Sequence, residues 1–232
     1  MTTLVLVAGH AIPRHFDQLD RDEGWFLKHF QQGEGALYVD HVRAGVELAA
    51  GSLETLLIFA GGQTDPTAGP RSEGQGYWLV AEHLGWFGHA AVRERATTEE
   101  FSMDSFQNVL FGLCRFKEVT GRYPEKLIAV GWKFKGARFD QHREAVRFPA
   151  HSYEYVGVND PPDLDRNLPF EAQRRETFRR DPYGSGEEPV LKRLARNAER
   201  RQHGYAVSCP EMRGLLSHAG PDLYSGPLPW GS

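Results

Sequence analysis

Residues 55–62 read Thr-Leu-Leu-Ile-Phe-Ala-Gly-Gly. An unbroken apolar run that stops on a glycine pair is the signature of a strand covered on both faces, as in a parallel sheet sandwiched by helices. The same pattern recurs on either side: Leu4 to Ala8 stops at Gly9-His10, Leu127 to Val130 stops at Gly131, and Tyr153 to Val158 stops at Asn159. A weaker run, Ala91 to Arg95, falls between the second and fourth. The reading is an α/β fold with an open parallel sheet of about five strands.

Helical periodicity fills the intervals. Ala36 to Ala50 sets Leu37, Val42, Val46 and Ala49 on one side, and Ser72 to Leu84 carries Tyr77, Trp78, Val80 and Ala81 without an internal proline. Phe106, Val109, Leu110, Leu113 and Phe116 form the firmest stripe, in a helix over Ser102 to Val119 with Ser102 and Asp104 suited to its first turn. A fourth helix, Arg138 to Val146, precedes the last strand. Helices therefore lie on both faces. The βα units occupy residues 1–158, and residues 159–232 form a helical and irregular extension packed on the same domain. In that extension an Arg-rich stretch runs from Gln173 to Arg180, a helix-like segment covers Pro189 to Gln202, and the terminal Gly-Pro-Leu-Pro-Trp-Gly-Ser is loose or docked through Trp230.

Composition excludes several classes. The chain of 232 residues is 40% hydrophobic and 25% charged, ordinary globular proportions that support a real core. A net charge of −4 gives no general attraction to phosphate backbones or anionic lipid, so nucleic acid and membrane are not expected partners. No stretch approaches the roughly eighteen consecutive apolar residues of a membrane span, and the N-terminus runs into a strand without a positively charged leader. The expectation is a cytoplasmic protein. Cys114 and Cys209 read as free thiols.

In an open parallel sheet, ligands bind outside the carboxyl ends of the strands, where loops and helix N-termini expose backbone N–H groups. The residues that follow each strand are therefore the candidates. They are His10 after the first, Gly61, Gly62 and Glu73 after the second, Glu99, Ser102, Asp104, Ser105 and Asn108 after the third, and Lys133, Lys135 and Arg138 after the fourth. Each has a plainer reading: a glycine pair marks a tight turn as readily as a close ligand approach, Ser102 and Asp104 are ordinary caps, a lone histidine is often a core residue, and a lysine cluster is often surface. Their convergence from four segments favours a pocket. Metal-ligand spacing of the HExxH or CxxC kind is missing, as are the P-loop, the GxSxG elbow and the GxGxxG turn. No metal is expected.

This order of residues resembles the YdcF/SanA/ElyC-like family, in its soluble Phe-Lys-x-x-Arg-Phe branch. Arg43 matches that family's first-helix arginine, Gly61 and Gly62 its glycine pair, Ser72-Glu73 its serine-glutamate, Glu99, Ser102, Asp104, Ser105 and Asn108 its third motif, and Phe134, Lys135 and Arg138 its last. Lys135 stands in place of a histidine, and His10 where many members carry a small residue. The resemblance implies a Rossmann-like fold with a pocket at the strand C-termini and, from at least one member, an S-adenosylmethionine or other adenosyl nucleotide as ligand.

Taken together, the residues point to a small-molecule enzyme, a hydrolase or group transferase. His10, Glu73 and Glu99 are its acid–base candidates. Arg43, Gly61, Gly62, Ser102, Asp104, Ser105, Asn108, Lys133, Lys135 and Arg138 are its ligand contacts. The alternative is a non-catalytic nucleotide or S-adenosylmethionine sensor on the same fold. Neither the substrate nor the oligomeric state follows from these features.

Overall fold

The computed structural model describes residues 1–231. Five strands, β1 (Thr3–Ala8), β2 (Thr55–Ala60), β3 (Ala96–Glu99), β4 (Lys126–Gly131) and β5 (Tyr153–Gly157), form one parallel sheet in the order β3-β2-β1-β4-β5. The chain winds outward from β1 through β2 to β3, then returns to β4 on the other side of β1. The order reverses between β1 and β4, so a crevice opens beyond their carboxyl ends.

Alternate side chains of each strand enter different cores. Val5, Val7, Leu57, Phe59, Ile128 and Val130 face helices α1 (Gly35–Ala50) and α2 (Glu73–His83), packing on Tyr38, Val42, Val46, Tyr77 and Val80. Leu4, Leu6, Leu56, Ile58 and Leu127 face α3 (Ser105–Thr120) and α4 (Gly136–Ala145) through Val109, Leu113, Phe116 and Phe139. Both faces are dry, which is why the strands read as continuous apolar runs rather than as alternating ones.

The weak third strand needs correction. Residues Ala90–Arg95 form a 3-10 turn, and pairing begins at Ala96, with Leu57 opposite Ala96 and Ala60 opposite Glu99. Val92 supplies the apolar signal by burying itself from that turn. Arg95 Nη1 instead reaches the carbonyls of Ala49, Ser52 and Thr55. The strand proper is Thr-rich and lies at the sheet edge, where an apolar run is not required. The third helix also starts later than Ser102: Asp104 is its cap, accepting from the Gln107 amide at 2.9 Å.

Beyond β5, helix α5 (Leu164–Arg180) carries Pro169 inside it, and α6 (Glu187–Arg196) follows after a loop. Two single-turn helices, α7 (Tyr205–Ser208) and α8 (Arg213–Leu216), come next. Phe178, Tyr183, Tyr205, Cys209, Met212, Leu215 and Leu228 complete the core on the α3–α4 side, so the extension seals a layer of the sheet domain. The terminal segment is docked by more than one residue. Trp230 Nε1 donates to the Val146 carbonyl at 2.9 Å, Leu228 is buried, and Arg147 holds the Tyr224 and Gly226 carbonyls. Ser232 lies outside the described residues. Both thiols are free and buried, with Cys209 Sγ 3.4 Å from the Cys114 carbonyl oxygen. Among the described residues no helix is long and apolar enough to cross a membrane.

Tyr205 is the innermost anchor of this extension, donating from its hydroxyl to Glu99 Oε1 at 3.0 Å in a buried setting. Tyr205→Phe leaves that carboxylate short of one donor, and urea denaturation is expected to show a loss of about 2 kcal/mol.

Candidate functional site

A cavity of about 680 Å³ opens at the β1–β4 crevice, a size that suits a small molecule. Several parts of the chain build it. The sheet edge gives Gly9, His10 and Trp132, the α3 entry gives Ser102, Asp104, Ser105 and Asn108, the start of α4 gives Lys135 and Arg138, and α2 gives Glu73. The segment between β1 and α1 adds Lys28, Gln31 and Glu34, while α5 and α6 form the remaining wall with Arg166, Glu171, Arg174, Lys192 and Arg196.

Of the thirteen candidates, eight line this cavity: His10, Glu73, Ser102, Asp104, Ser105, Asn108, Lys135 and Arg138. Five do not. Arg43 is exposed on α1, with its guanidinium over the Phe87 ring at 5.0 Å. Lys133 is exposed one turn before the wall. Glu99 is 1% exposed and accepts from the Phe101 and Ser102 amides and from Tyr205, so it pins the β3–α3 loop to the C-terminal extension. Gly61 and Gly62 cannot cradle a phosphate, because their amides already donate to the Glu99 and Ser102 carbonyls. Gly61, at φ +153°, serves another side chain: a Cβ there would sit 2.5 Å from Glu73 Oε2. The glycine thus lets the Glu73 carboxyl lie against the ends of β1 and β2.

Glu73 is buried and accepts a short hydrogen bond from the Thr64 hydroxyl. Burial raises its pKa, against the pull of that hydroxyl and of Arg196, Lys28 and Lys135. His10 stacks on Trp132 with centroids 5.9 Å apart, and its Nε2 has no protein partner. Burial, then Lys135, His41 and Arg138, keep its ring neutral by holding its pKa well below the ordinary value. The neutral His10 ring is thus suited to accept a proton at Nε2, and the Glu73 carboxyl to hold one.

At the α3 entry, Asp104 is claimed by Arg193 Nε at 2.6 Å. Burial alone would raise its pKa, but that guanidinium and the Gln107 amide leave it below the usual carboxylate range. Ser105 Oγ lies 2.8 Å from Nε2 of His142, whose ring is wedged against Phe106, Phe139 and Phe178. Nδ1 of His142 has no acceptor, so we assign the proton to Nε2, which donates to Ser105 and turns the hydroxyl proton toward the cavity. Burial pushes His142 down to about 3. The Ser102 hydroxyl is buried against the Glu99 carboxyl, where it opposes the burial that raises the pKa of that acid.

Charge is the distinctive property of the walls. Arg138 pairs with Glu171 at 2.9 Å, but Nε of the arginine and Oε1 of the glutamate are both left without partners. Lys28, Lys135, Lys192 and Arg196 form no ion pair among the described residues. Burial pushes Lys135 down to about 7, helped by Arg138. Lys192 falls likewise to about 7 through burial and then Arg196, Arg174 and Arg138. Among the described residues no group of three His, Cys, Asp or Glu is arranged to hold a metal ion.

Sequence reasoning missed Lys28, Glu171, Lys192 and Arg196. Lys192 and Arg196 carried a usable signal, being four residues apart and so on one side of a helix; Lys28 carried none. Of the arginine stripe on α5, only Arg174 reaches the cavity, while Arg179 and Arg180 pair with Glu176.

Two measurements follow from this geometry. Gly61→Ala is expected to cost about 1–3 kcal/mol in chemical denaturation, since it strains the backbone and displaces Glu73. Buried His10, His41 and His142 bind protons less readily than in the unfolded chain, so stability is lost as pH falls below about 6.5. Lys135 and Lys192 act in a higher window: between about 7 and 10.5 the unfolded chain holds more protons, so stability rises with pH there. Melting temperature from pH 5 to 9 is expected to climb through both windows, and Lys135→Met is expected to flatten the upper one.

No family model matches the chain, and no solved structure matches it. It is similar to an uncharacterized protein of Saccharomyces cerevisiae, YOR238W, at 27% identity over 240 residues, covering 82% of this chain and 79% of the yeast protein. The chain is thus a distant homologue of that yeast protein, on a Rossmann-like α/β fold.

Proposed function

We propose that the protein is an enzyme acting on an anionic small molecule by hydrolysis or group transfer, with the reaction at the β1–β4 crevice. One observation carries this reading: Lys28, Lys135, Lys192 and Arg196 line the cavity and none of them forms an ion pair among the described residues. Half-buried cations crowded together without partners repel one another, and a bound anion relieves that repulsion. Resemblance to the YdcF/SanA/ElyC-like family supports the same location for a ligand. Phe134 and the exposed Phe170 offer flat apolar surfaces on which an adenosyl group would stack. The charge favours a phosphorylated adenosyl compound over S-adenosylmethionine, whose sulfonium would add another cation.

In this reading Lys135 and Arg138 stabilise negative charge as it develops, and Ser105 orients the anion through its hydroxyl proton. His10 Nε2 accepts a proton from the attacking hydroxyl or water. Glu73, with its raised pKa, donates one to the leaving group. A second reading, a sensor without turnover, is favoured by the wall itself. Much of it comes from α5 and α6, whose position a ligand would bias.

Native mass spectrometry of freshly purified protein tests the site directly, and a co-purified anionic compound is the expected result. With that compound as substrate, His10→Ala and Glu73→Gln are each expected to lower kcat about 100-fold or more while retaining the ligand-induced rise in Tm. Loss of turnover is what separates enzyme from sensor, which would show the shift and no product at all. Affinity is also expected to fall as pH rises above 7, because Lys135 and Lys192 lose charge there. Calorimetry at pH 8 in buffers of different ionisation enthalpy should register proton uptake on binding.

A further inference from the structure

Lys135, Arg138, Lys192, Arg196 and Lys28 all line one cavity, contributed by α4, α6 and the β1–α1 segment. They sit close enough to act on one another. Arg138 depresses both Lys135 and Lys192, Arg196 depresses Lys192, and Arg196 again depresses Lys28. Carboxylates offset them only in part: Glu171, Glu34 and Glu73 pull Lys135 up, Glu73 and Asp65 pull Lys28 up and Asp104 pulls Lys192 up, but none forms an ion pair with these lysines. Glu171 serves Arg138, Asp104 is spent on Arg193, and Glu34 and Glu73 are both buried, with their ionisation opposed and a hydroxyl already bound to each. Four cations of this row, Lys135, Lys192, Arg196 and Lys28, are left without an ion pair among the described residues.

One end of the row meets the N-terminus of α3, a helix of 16 residues. Its cap claims the Gln107 amide, leaving those of Ser105 and Phe106, which no intrahelical carbonyl can reach. Beside them is Arg138 Nε, buried and without a partner. Arg196 ties the other end to the same loop by donating to the Met103 carbonyl at 2.7 Å.

A single phosphate group, with a charge of about −1.5 to −2, occupies one end of such a row and leaves the other unmatched. We infer that the ligand carries at least two linked phosphate groups, a diphosphate or longer ester, with one phosphate on Ser105 and Arg138 and the next on Lys192, Arg196 and Lys28. This rests on the reading of the cavity as an anion site and narrows it to a chemical class. A cavity of this volume admits such an ester whole and excludes a phosphorylated macromolecule from all but its rim.

The test is calorimetric titration of the full chain at pH 7.0 and constant ionic strength with orthophosphate, diphosphate, triphosphate and citrate. Diphosphate is expected to bind at least about tenfold tighter than orthophosphate. Lys192→Met and Lys28→Met, each on the exposed side of the row, should shrink that ratio toward one while leaving orthophosphate binding within about threefold. Ser105→Ala should weaken both ions. Circular dichroism confirms that each variant is folded, and either lysine variant alone suffices. Equal affinity for orthophosphate and diphosphate overturns the inference and leaves the anion site standing. Citrate binding as tightly as diphosphate overturns the phosphate class in the same way. Failure of every anion to bind overturns the anion site as well.

Discussion

Arg138 of α4 and Glu171 of α5 meet at 2.9 Å with only 12% and 6% of their side chains exposed, and the cavity exists because of that tie. A second, Arg193 to Asp104, fixes α6 to the cap of α3, and Arg193 also gathers the Tyr183 and Gly184 carbonyls. A third is the Arg196 bond to Met103. Helix α6 itself buries no residue, so apolar packing does not hold it. Buried pairs of this kind contribute little net stability compared with an apolar contact, but loss of one partner strands a charge. Their effect here is positional: two helices are held over a crevice without filling it.

The histidines obey the same constraint. A protonated imidazole would add to walls already rich in positive charge, and all three buried rings are held neutral. Their partners differ. Asn159 spends its amide N–H groups on Leu37 and Asp40, so its oxygen must accept from His41 Nε2, at 2.7 Å. His142 donates to Ser105. His10 has no such partner at Nε2, which is why it alone among the three presents a free lone pair beside the cavity.

Much of the fold was legible because a sheet buried on both faces leaves apolar runs that need no tertiary information to recognise. The third strand was not, since Ala-Thr-Thr-Glu at an edge carries no such run and the neighbouring Val92 imitates one. The site was legible as far as topology alone reaches: residues after β1 and β4 and at the α3 entry do gather in one hollow. Glu99, Gly61 and Gly62 misled because what satisfies them, Tyr205 in one case and Glu73 with two loop carbonyls in the other, is invisible along the chain. The cations of α6 were hidden for a related reason. Their acidic neighbours in sequence balance them on paper, yet in space Glu188 goes to Arg174 and Lys192 is left alone.

That imbalance links stability to function. A folded chain that keeps several half-buried ammonium and guanidinium groups close together without ion-pair partners is less stable than the same fold with apolar or paired walls. Lysines depressed to about 7 are the visible form of this tension, since the protein sheds protons rather than hold the charges together. In the proposed function an arriving anion would reverse the balance: it would recharge the lysines, relieve their repulsion and bind the folded state alone, so ligand affinity and gain in stability would share one origin. Replacing these residues with apolar ones would therefore make the empty protein more robust and the site useless. A stabilised but ligand-blind variant is the behaviour expected of a cavity shaped by its ligand rather than by folding.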